Sequence, residues 1–197
     1  MVKKYNIILA SNSPRRKELL SRLGVPFEVR VLKDIDESYP EATPVSEVAQ
    51  YIAGTKADVY RLVMGDDELI ITADTVVIVG NEILGKPADA DDAARMLRAL
   101  SGRTHQVTTG VCMVAKDQDR RFSVTTDVTF KQLTDEEINY YIQTYKPYDK
   151  AGAYGIQEWI GCIGVTGLSG SYYNVMGLPI QRIYQVLKSL GVMPVCE

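Results

Sequence analysis

An apolar strand that runs straight into a helix N-cap fixes how this chain begins. Residues 5–9 read as a short buried strand with Asn6 as its one clearly polar member, and Ser11-Asn12-Ser13-Pro14 follows without a break. Ser13 suits an N-cap and Pro14 the first helical position. Leu19, Leu20 and Leu23 then form one apolar face that Gly24 ends. A strand, a short loop and a helix N-terminus in that order belong to α/β architectures, and the rest of the chain repeats the alternation.

Residues 27–32 read as a second strand, followed by an acidic loop with Asp34, Asp36 and Glu37, and residues 44–60 have helical spacing in Val48, Ile52 and Val59, weakened by Gly54. Residues 69–73 form a buried strand that delivers Asp74-Thr75. Residues 76–79 continue it into a turn at Gly80-Asn81, and Ile83-Leu84 leads on to Gly85-Lys86-Pro87. Asp89 opens a helix with Asp91 and Asp92 in its first turn and Ala93, Met96, Leu97 and Leu100 at core spacing, closed by Gly102. Residues 106–114 and 122–130 flank a polar turn and read as a hairpin. Thr134 and Glu137 make a capping box for a helix whose buried face is Ile138, Tyr141, Ile142 and Tyr145. A glycine-rich stretch, residues 150–177, is too apolar and aromatic for disorder and reads as the tightly turning wall of a pocket. A last helix covers residues 179–190. The expected fold is α/β: a single domain over residues 1–197 with a mixed twisted β-sheet flanked by helices, two lobes standing around a central cleft.

The net charge of −3 over 197 residues disfavours duplex nucleic acid and anionic membrane surfaces, so an anionic ligand has to be caught locally. No apolar run approaches the roughly 18 to 20 residues that span a bilayer, and Lys3-Lys4 leads into only a short apolar stretch; the expectation is a cytoplasmic protein with no membrane attachment. Cys112, Cys162 and Cys196 are odd in number and widely spaced, giving neither a disulfide framework nor a metal site, and read as buried reduced thiols. The single histidine, His105, starts a strand and lacks a nucleophile elbow elsewhere, which reads as a structural or surface residue.

The chemistry-bearing residues begin at the first loop. Helix N-terminal N–H groups and the guanidiniums of Arg15 and Arg16 together suit several phosphate oxygens, at roughly 1.5 to 3 kcal/mol per charge-assisted contact. The competing reading is an ordinary charged first turn. Against it, positive charge at a helix N-terminus opposes the macrodipole by roughly 0.3 to 1 kcal/mol per charge. Three roles compete for Asp74 at the end of its apolar run: a metal ligand or base, a cap, or a structural ion pair. Glu37 sits in what is ordinarily a solvated acidic loop, and Lys56 and Lys86, beside glycine or proline, are ordinarily surface residues.

Five ordered blocks shift that balance: residues 9–20 (LASNSPRRKELL), Ala73-Asp74-Thr75-Val76-Val77, Leu84-Gly85-Lys86-Pro87, residues 149–157 (DKAGAYGIQ) and residues 170–179 (GSYYNVMGLP). Together they resemble the Maf family of nucleoside triphosphate pyrophosphatases over nearly the whole chain. The resemblance implies a Maf/ITPase-like fold and cleavage between the α and β phosphorus atoms, giving a nucleoside monophosphate and pyrophosphate with Mg²⁺ or Mn²⁺. It assigns Ser13, Arg15, Arg16, Lys56 and Lys86 to the phosphates, Glu37 and Asp74 to metal or water, and Asp74 to catalysis. An ordinary aspartate, with a pKa of about 3.9, is ionised but a weak base at neutral pH, which favours metal binding and water positioning over simple proton abstraction.

Arg15, Thr75 and Gln157 resemble the branch acting on dTTP and UTP; the branch acting on 7-methyl-GTP has Trp, Gln and Glu at the corresponding places. A Gln amide can read a neutral pyrimidine edge, whereas a Glu suits the cationic methylated guanine. Glu158-Trp159-Ile160 departs from the glycines more often found after the Gln. The alternatives are the 7-methyl-GTP activity and a nucleotide-binding regulator of septum formation. The implied partner is the nucleoside triphosphate substrate, without a stable nucleic-acid complex, and a homodimer is compatible with the resemblance.

Overall fold

The computed structural model describes residues 5–192. Among them, β1 (Asn6–Leu9), β2 (Glu28–Val29), β3 (Glu68–Val79), β4 (Glu82–Leu84), β5 (Thr104–Ala115), β6 (Gln118–Phe130) and β7 (Val165–Ser169) form one mixed sheet in the order β2-β1-β3-β5-β6-β7, with β4 on β3. β1 is parallel to β2 and to β3, while β3/β4 and β6/β7 are antiparallel. Helices α1 (Pro14–Ser21), α2 (Val48–Arg61), α3 (Ala90–Leu100), α4 (Asp135–Tyr145), α5 (Trp159–Gly164), α6 (Tyr172–Val175) and α7 (Ile180–Ser189) alternate with the strands. This is the expected α/β class with a mixed sheet.

The chain divides into two compact units. The first comprises Met1–Asp74, Thr109–Val124 and Gly177–Glu197; the second comprises Thr75–Thr108 and Thr125–Met176. The core of the first is built on Ile7, Ile8 and Leu9 beside Leu69, Ile70 and Ile71, all fully or nearly fully buried. In the second, the buried side chains include Leu84, Leu97, Phe130, Tyr141 and Ile160, and the His105, Phe130 and Tyr154 rings meet edge to face.

Helix starts follow the caps the sequence offers. The Ser13 hydroxyl accepts the Arg16 N–H at 3.4 Å, Asp89 accepts from the Asp92 N–H, and Thr134 with Glu137 forms a complete capping box. Helix α2 begins later than the spacing implied, at Val48, because residues 44–47 form a turn in which Glu47 N–H bonds the Pro44 carbonyl. Gly54 does not break it. The helix lies on β5 at backbone distance: a Cβ on Gly110 would be 2.4 Å from main-chain atoms of Ala49 and Gln50, so only glycine fits.

Several expectations are corrected. The second strand shrinks from residues 27–32 to Glu28–Val29, since β1 is its one partner and only two positions pair. The strand through residues 69–79 is continuous as expected, as β3, but Asp74 lies within it rather than at the end of its buried part. The hairpin strands extend to Thr104 and Gln118, leaving Lys116-Asp117 as the turn. Tyr145 is exposed and stacks on Tyr141 instead of entering the core. The glycine-rich stretch is not a run of turns, for it holds a 3₁₀ turn (Ala151–Ala153), α5, β7 and α6. Cys112 is buried but Cys162 is exposed, and Cys196 lies outside the described residues. Among the described residues no helix is long and apolar enough to cross a membrane.

Candidate active site

In the first unit, the strand β3 and the helix α2 are tied one register step before the polar residues. The Thr72 hydroxyl donates to the Ala53 carbonyl at 2.7 Å. Two residues along the strand and three along the helix each return to the same face, so the next pair to meet is Asp74 and Lys56. The Lys56 ammonium lies 2.9 Å from Asp74 Oδ1 and 3.0 Å from Glu37 Oε1. Its side chain is only 12% exposed, against 16% for Asp74 and 50% for Glu37. Lys56 is therefore no surface lysine, and Glu37, though exposed, reaches inward from its loop.

Arg16 joins the same group from α1. Its Nε donates to the Gly177 carbonyl at 2.8 Å and its Nη1 to the Ala73 carbonyl at 2.9 Å. Burial lowers the guanidinium from its ordinary pKa, Asp74 and Glu37 oppose that shift, and Arg15 adds to it, so these four charges share one field. An arginine stays protonated through such a shift. Two of its donors are thus committed to main-chain carbonyls, one of them on the residue before Asp74. Ser13 N–H donates to Ser11 Oγ at 3.2 Å, closing the loop that leads to Ser13 and to Arg15 in the first turn of α1.

Two carboxylates converging on one cationic group form a donor set that fits a magnesium-type ion. Such an ion takes one or two protein carboxylates and completes its shell with phosphate oxygens and water. Glu37 and Asp74 are the residues that could hold it.

The second unit carries the remaining predicted residues. Thr75 follows on β3 and is partly exposed; Lys86 is exposed in the loop after β4. That loop is anchored where the Gly152 N–H donates to the Gly85 carbonyl at 3.0 Å. Gly152 is in the left-handed region (φ 68°), and a Cβ there would meet the Val77 methyl groups at 3.0 Å. Gln157 is partly buried, and its Oε1 is fully buried with no hydrogen-bond partner among the described residues.

His105 is 2% exposed, with Nε2 2.7 Å from the Tyr154 hydroxyl, and burial pulls its pKa down to about 4. It is a neutral structural residue.

Sequence patterning marks Tyr141 as a buried helix residue and Glu158 as a departure from glycine, but it gives neither them nor Lys150 a common role. The Tyr141 hydroxyl donates to Glu158 Oε2 and accepts the Gly155 N–H at 3.0 Å, and the Lys150 ammonium lies 3.2 Å from Glu158 Oε1 and 2.7 Å from Asp149 Oδ1. The available signal was a lysine and a glutamate placed within an otherwise apolar stretch.

The Maf-like protein family matches residues 6–190 of the chain. The chain belongs to that family. Relatives of this Maf-like chain include a protein of Phocaeicola vulgatus named dTTP/UTP pyrophosphatase, 60% identical over 96% of this chain and 98% of that protein. Another is the dTTP/UTP pyrophosphatase of Parabacteroides distasonis, 59% identical over 95% of this chain and 97% of that one. Among solved structures, a HAM1 protein from Coxiella burnetii aligns over 94% of this chain and 99% of its own at 15% identity and a TM-score of 0.46.

Proposed function

We propose that this Maf-like chain hydrolyses pyrimidine nucleoside triphosphates, dTTP and UTP, to the nucleoside monophosphate and pyrophosphate, clearing them or their modified relatives from the nucleotide pool. The names of the 59–60% identical relatives, which span nearly their whole length, support the substrate class. The observation that carries the chemistry is the convergence of Glu37 and Asp74 on the Lys56 ammonium.

In this reading a water oxygen attacks the α phosphorus, the bond from that phosphorus to the oxygen bridging to the β phosphorus breaks, releasing pyrophosphate, and the water's proton passes to solvent. Asp74 accepts a hydrogen bond from the attacking water and orients it, on a strand that leaves the carboxylate little freedom. Lys56 turns from its carboxylates toward phosphate oxygens. Ser13 and Arg15 bind phosphate at the start of α1, where backbone N–H groups and the helix dipole favour an anion. Arg16 adds a fixed positive charge while its Nε and Nη1 hold the main chain beside Asp74. In the second unit, exposed Lys86 is assigned to the phosphates, and Thr75 and Gln157 are assigned to the nucleoside. A divalent cation held by Glu37 and Asp74 would withdraw charge from the phosphates and lower the barrier to an anionic attack.

The test is incubation of the purified protein with a panel of nucleoside triphosphates and Mg²⁺ or Mn²⁺, measuring monophosphate and pyrophosphate. Turnover of dTTP and UTP is expected. No turnover of any triphosphate overturns the enzyme reading, and preference for 7-methyl-GTP overturns the pyrimidine one.

A further inference from the structure

The turn that carries Gln157 is closed twice. Its main chain is closed by the Glu158 N–H donating to the Gly155 carbonyl at 3.0 Å. Its side chains close it again, because Glu158 reaches back to the Tyr141 hydroxyl, which itself accepts the Gly155 N–H at 3.0 Å. The first and last residues of the turn are therefore joined through one tyrosine oxygen. Tyr141 is fully buried on α4 and cannot follow a moving loop.

The polarity of this connection is determined. A carboxylate accepts only, so the Tyr141 hydrogen must point at Glu158, which leaves an oxygen lone pair for Gly155. Burial and the facing carboxylate raise the Tyr141 pKa well above its ordinary value, so the hydroxyl keeps its proton. The Lys150 ammonium, 8% exposed, holds the second Glu158 oxygen at 3.2 Å and compensates its charge.

Gln157 lies inside this closed turn. Both it and Glu158 fold over Gly155: a Cβ there would lie 3.0 Å from Gln157 Nε2 and 2.9 Å from the Glu158 carboxyl carbon. The glutamine amide is thereby packed on the turn, and its Oε1 is left buried and unsatisfied among the described residues. An acceptor kept out of water without a donor is costly; a rotation of the Gln157 amide on the fixed turn brings it to a ligand N–H that restores the balance. The imide N3–H of uracil or thymine is such a donor. Cytosine presents an acceptor at that position.

Resting on the pyrimidine reading above, we infer that Glu158, with Tyr141 and Lys150, is a specificity-determining positioning group that fixes the Gln157 amide to select imide-bearing pyrimidines over cytosine. Glu158 touches no substrate. It acts by holding the turn, so its loss costs discrimination and substrate affinity before it costs the chemical step.

The experiment compares Glu158→Ala, Glu158→Gln and Tyr141→Phe with the unaltered protein, each checked for fold by circular dichroism. It measures kcat and KM for UTP and CTP, and the Kd of UMP and CMP by calorimetry. In Glu158→Ala and Tyr141→Phe the preference for uracil over cytosine is expected to fall about tenfold in both ratios, through KM and Kd, with kcat for UTP within about threefold. Glu158→Gln keeps an acceptor for Tyr141 and is expected to keep the preference within about threefold. A uniform loss of kcat with unchanged ratios, equal losses in the Gln and Ala variants, or no change at all overturns the inference. Failure of the unaltered protein to turn over UTP overturns the earlier reading instead, and the UMP to CMP ratio then decides this one alone.

Discussion

Lys56 Nζ and Asp74 Oδ1 stand 2.9 Å apart in the first unit, both side chains largely buried, with Glu37 Oε1 closing on the same ammonium at 3.0 Å. If Asp74 orients the attacking water, Asp74→Asn keeps the shape of the side chain but removes its charge. Turnover is expected to drop at least about 100-fold, with UTP affinity held within about tenfold. Steady-state kinetics and calorimetric titration of UTP separate the two quantities, and a parallel loss of both contradicts the assignment.

Replacing the ammonium has a different signature. Lys56→Met removes a phosphate contact and leaves Asp74 and Glu37 without the ammonium between them, with Arg16 as a more distant compensating charge. A charge-assisted contact is worth roughly 1.5 to 3 kcal/mol, so kcat/KM for UTP should fall about 10- to 150-fold or more. The same variant is expected to lose more stability at low salt than at high salt, since the uncovered repulsion is screened. Urea titrations at two ionic strengths check this.

Arg16 serves two main-chain carbonyls from two of its nitrogens, Ala73 from Nη1 and Gly177 from Nε. A lysine cannot reproduce a planar fork, so Arg16→Lys is expected to destabilise the protein by about 1 to 3 kcal/mol and to lower kcat, because the residue before Asp74 loses its anchor. Unchanged stability would show the two bonds to be dispensable.

His105 makes stability depend on pH. Its pKa falls from 6.5 to about 4 on folding, so between those values the unfolded chain binds the extra proton. The contribution is fully present above pH 6.5, is lost as the pH falls through that window, and levels off below about 4. The slope approaches about 1.4 kcal/mol per pH unit and the total is about 3 kcal/mol. Denaturant unfolding of the protein and of His105→Phe from pH 7.5 to 4.5 should diverge by this slope, which separates the histidine from carboxylates titrating in both proteins.

Gly110→Ala tests the seat of α2. The added methyl would meet main-chain atoms of Ala49 and Gln50 at 2.4 Å, and backbone cannot rotate aside as a side chain can. A loss of about 3 kcal/mol is expected, accompanied by reduced turnover because α2 carries Lys56. Urea unfolding and a UTP assay on the same preparation check it.

Much of this was legible from sequence where local chemistry decides the outcome. Ser13 and Pro14, Asp89, and the Thr134/Glu137 box each announce a helix start, and the structure places a helix at each. Where neighbours decide, the reading failed. Residues 27–32 have strand composition, but pairing with β1 extends over only two positions. Asp74 reads as the end of the buried part of its strand because polar residues usually end apolar runs. Here Lys56 satisfies the carboxylate, and β3 continues through it. The motifs identified the phosphate and metal candidates through resemblance, while the physical pairing of Glu37 with Lys56 joins a loop to a helix across 19 positions and leaves no local trace. The Tyr141–Glu158 bond is equally silent, since nothing in an amphipathic helix says which buried tyrosine has a distant acceptor.

Asp74 rides on β3, which pairs with β1 through Ile71 and has β5 on its other side, and the residue before Asp74 is held by Arg16. A carboxylate seated there cannot loosen ahead of the strands that carry it. Heat inactivation and global melting should therefore coincide in this protein, and selection for activity at a higher temperature would have to act on the sheet itself, leaving few routes through the active-site residues.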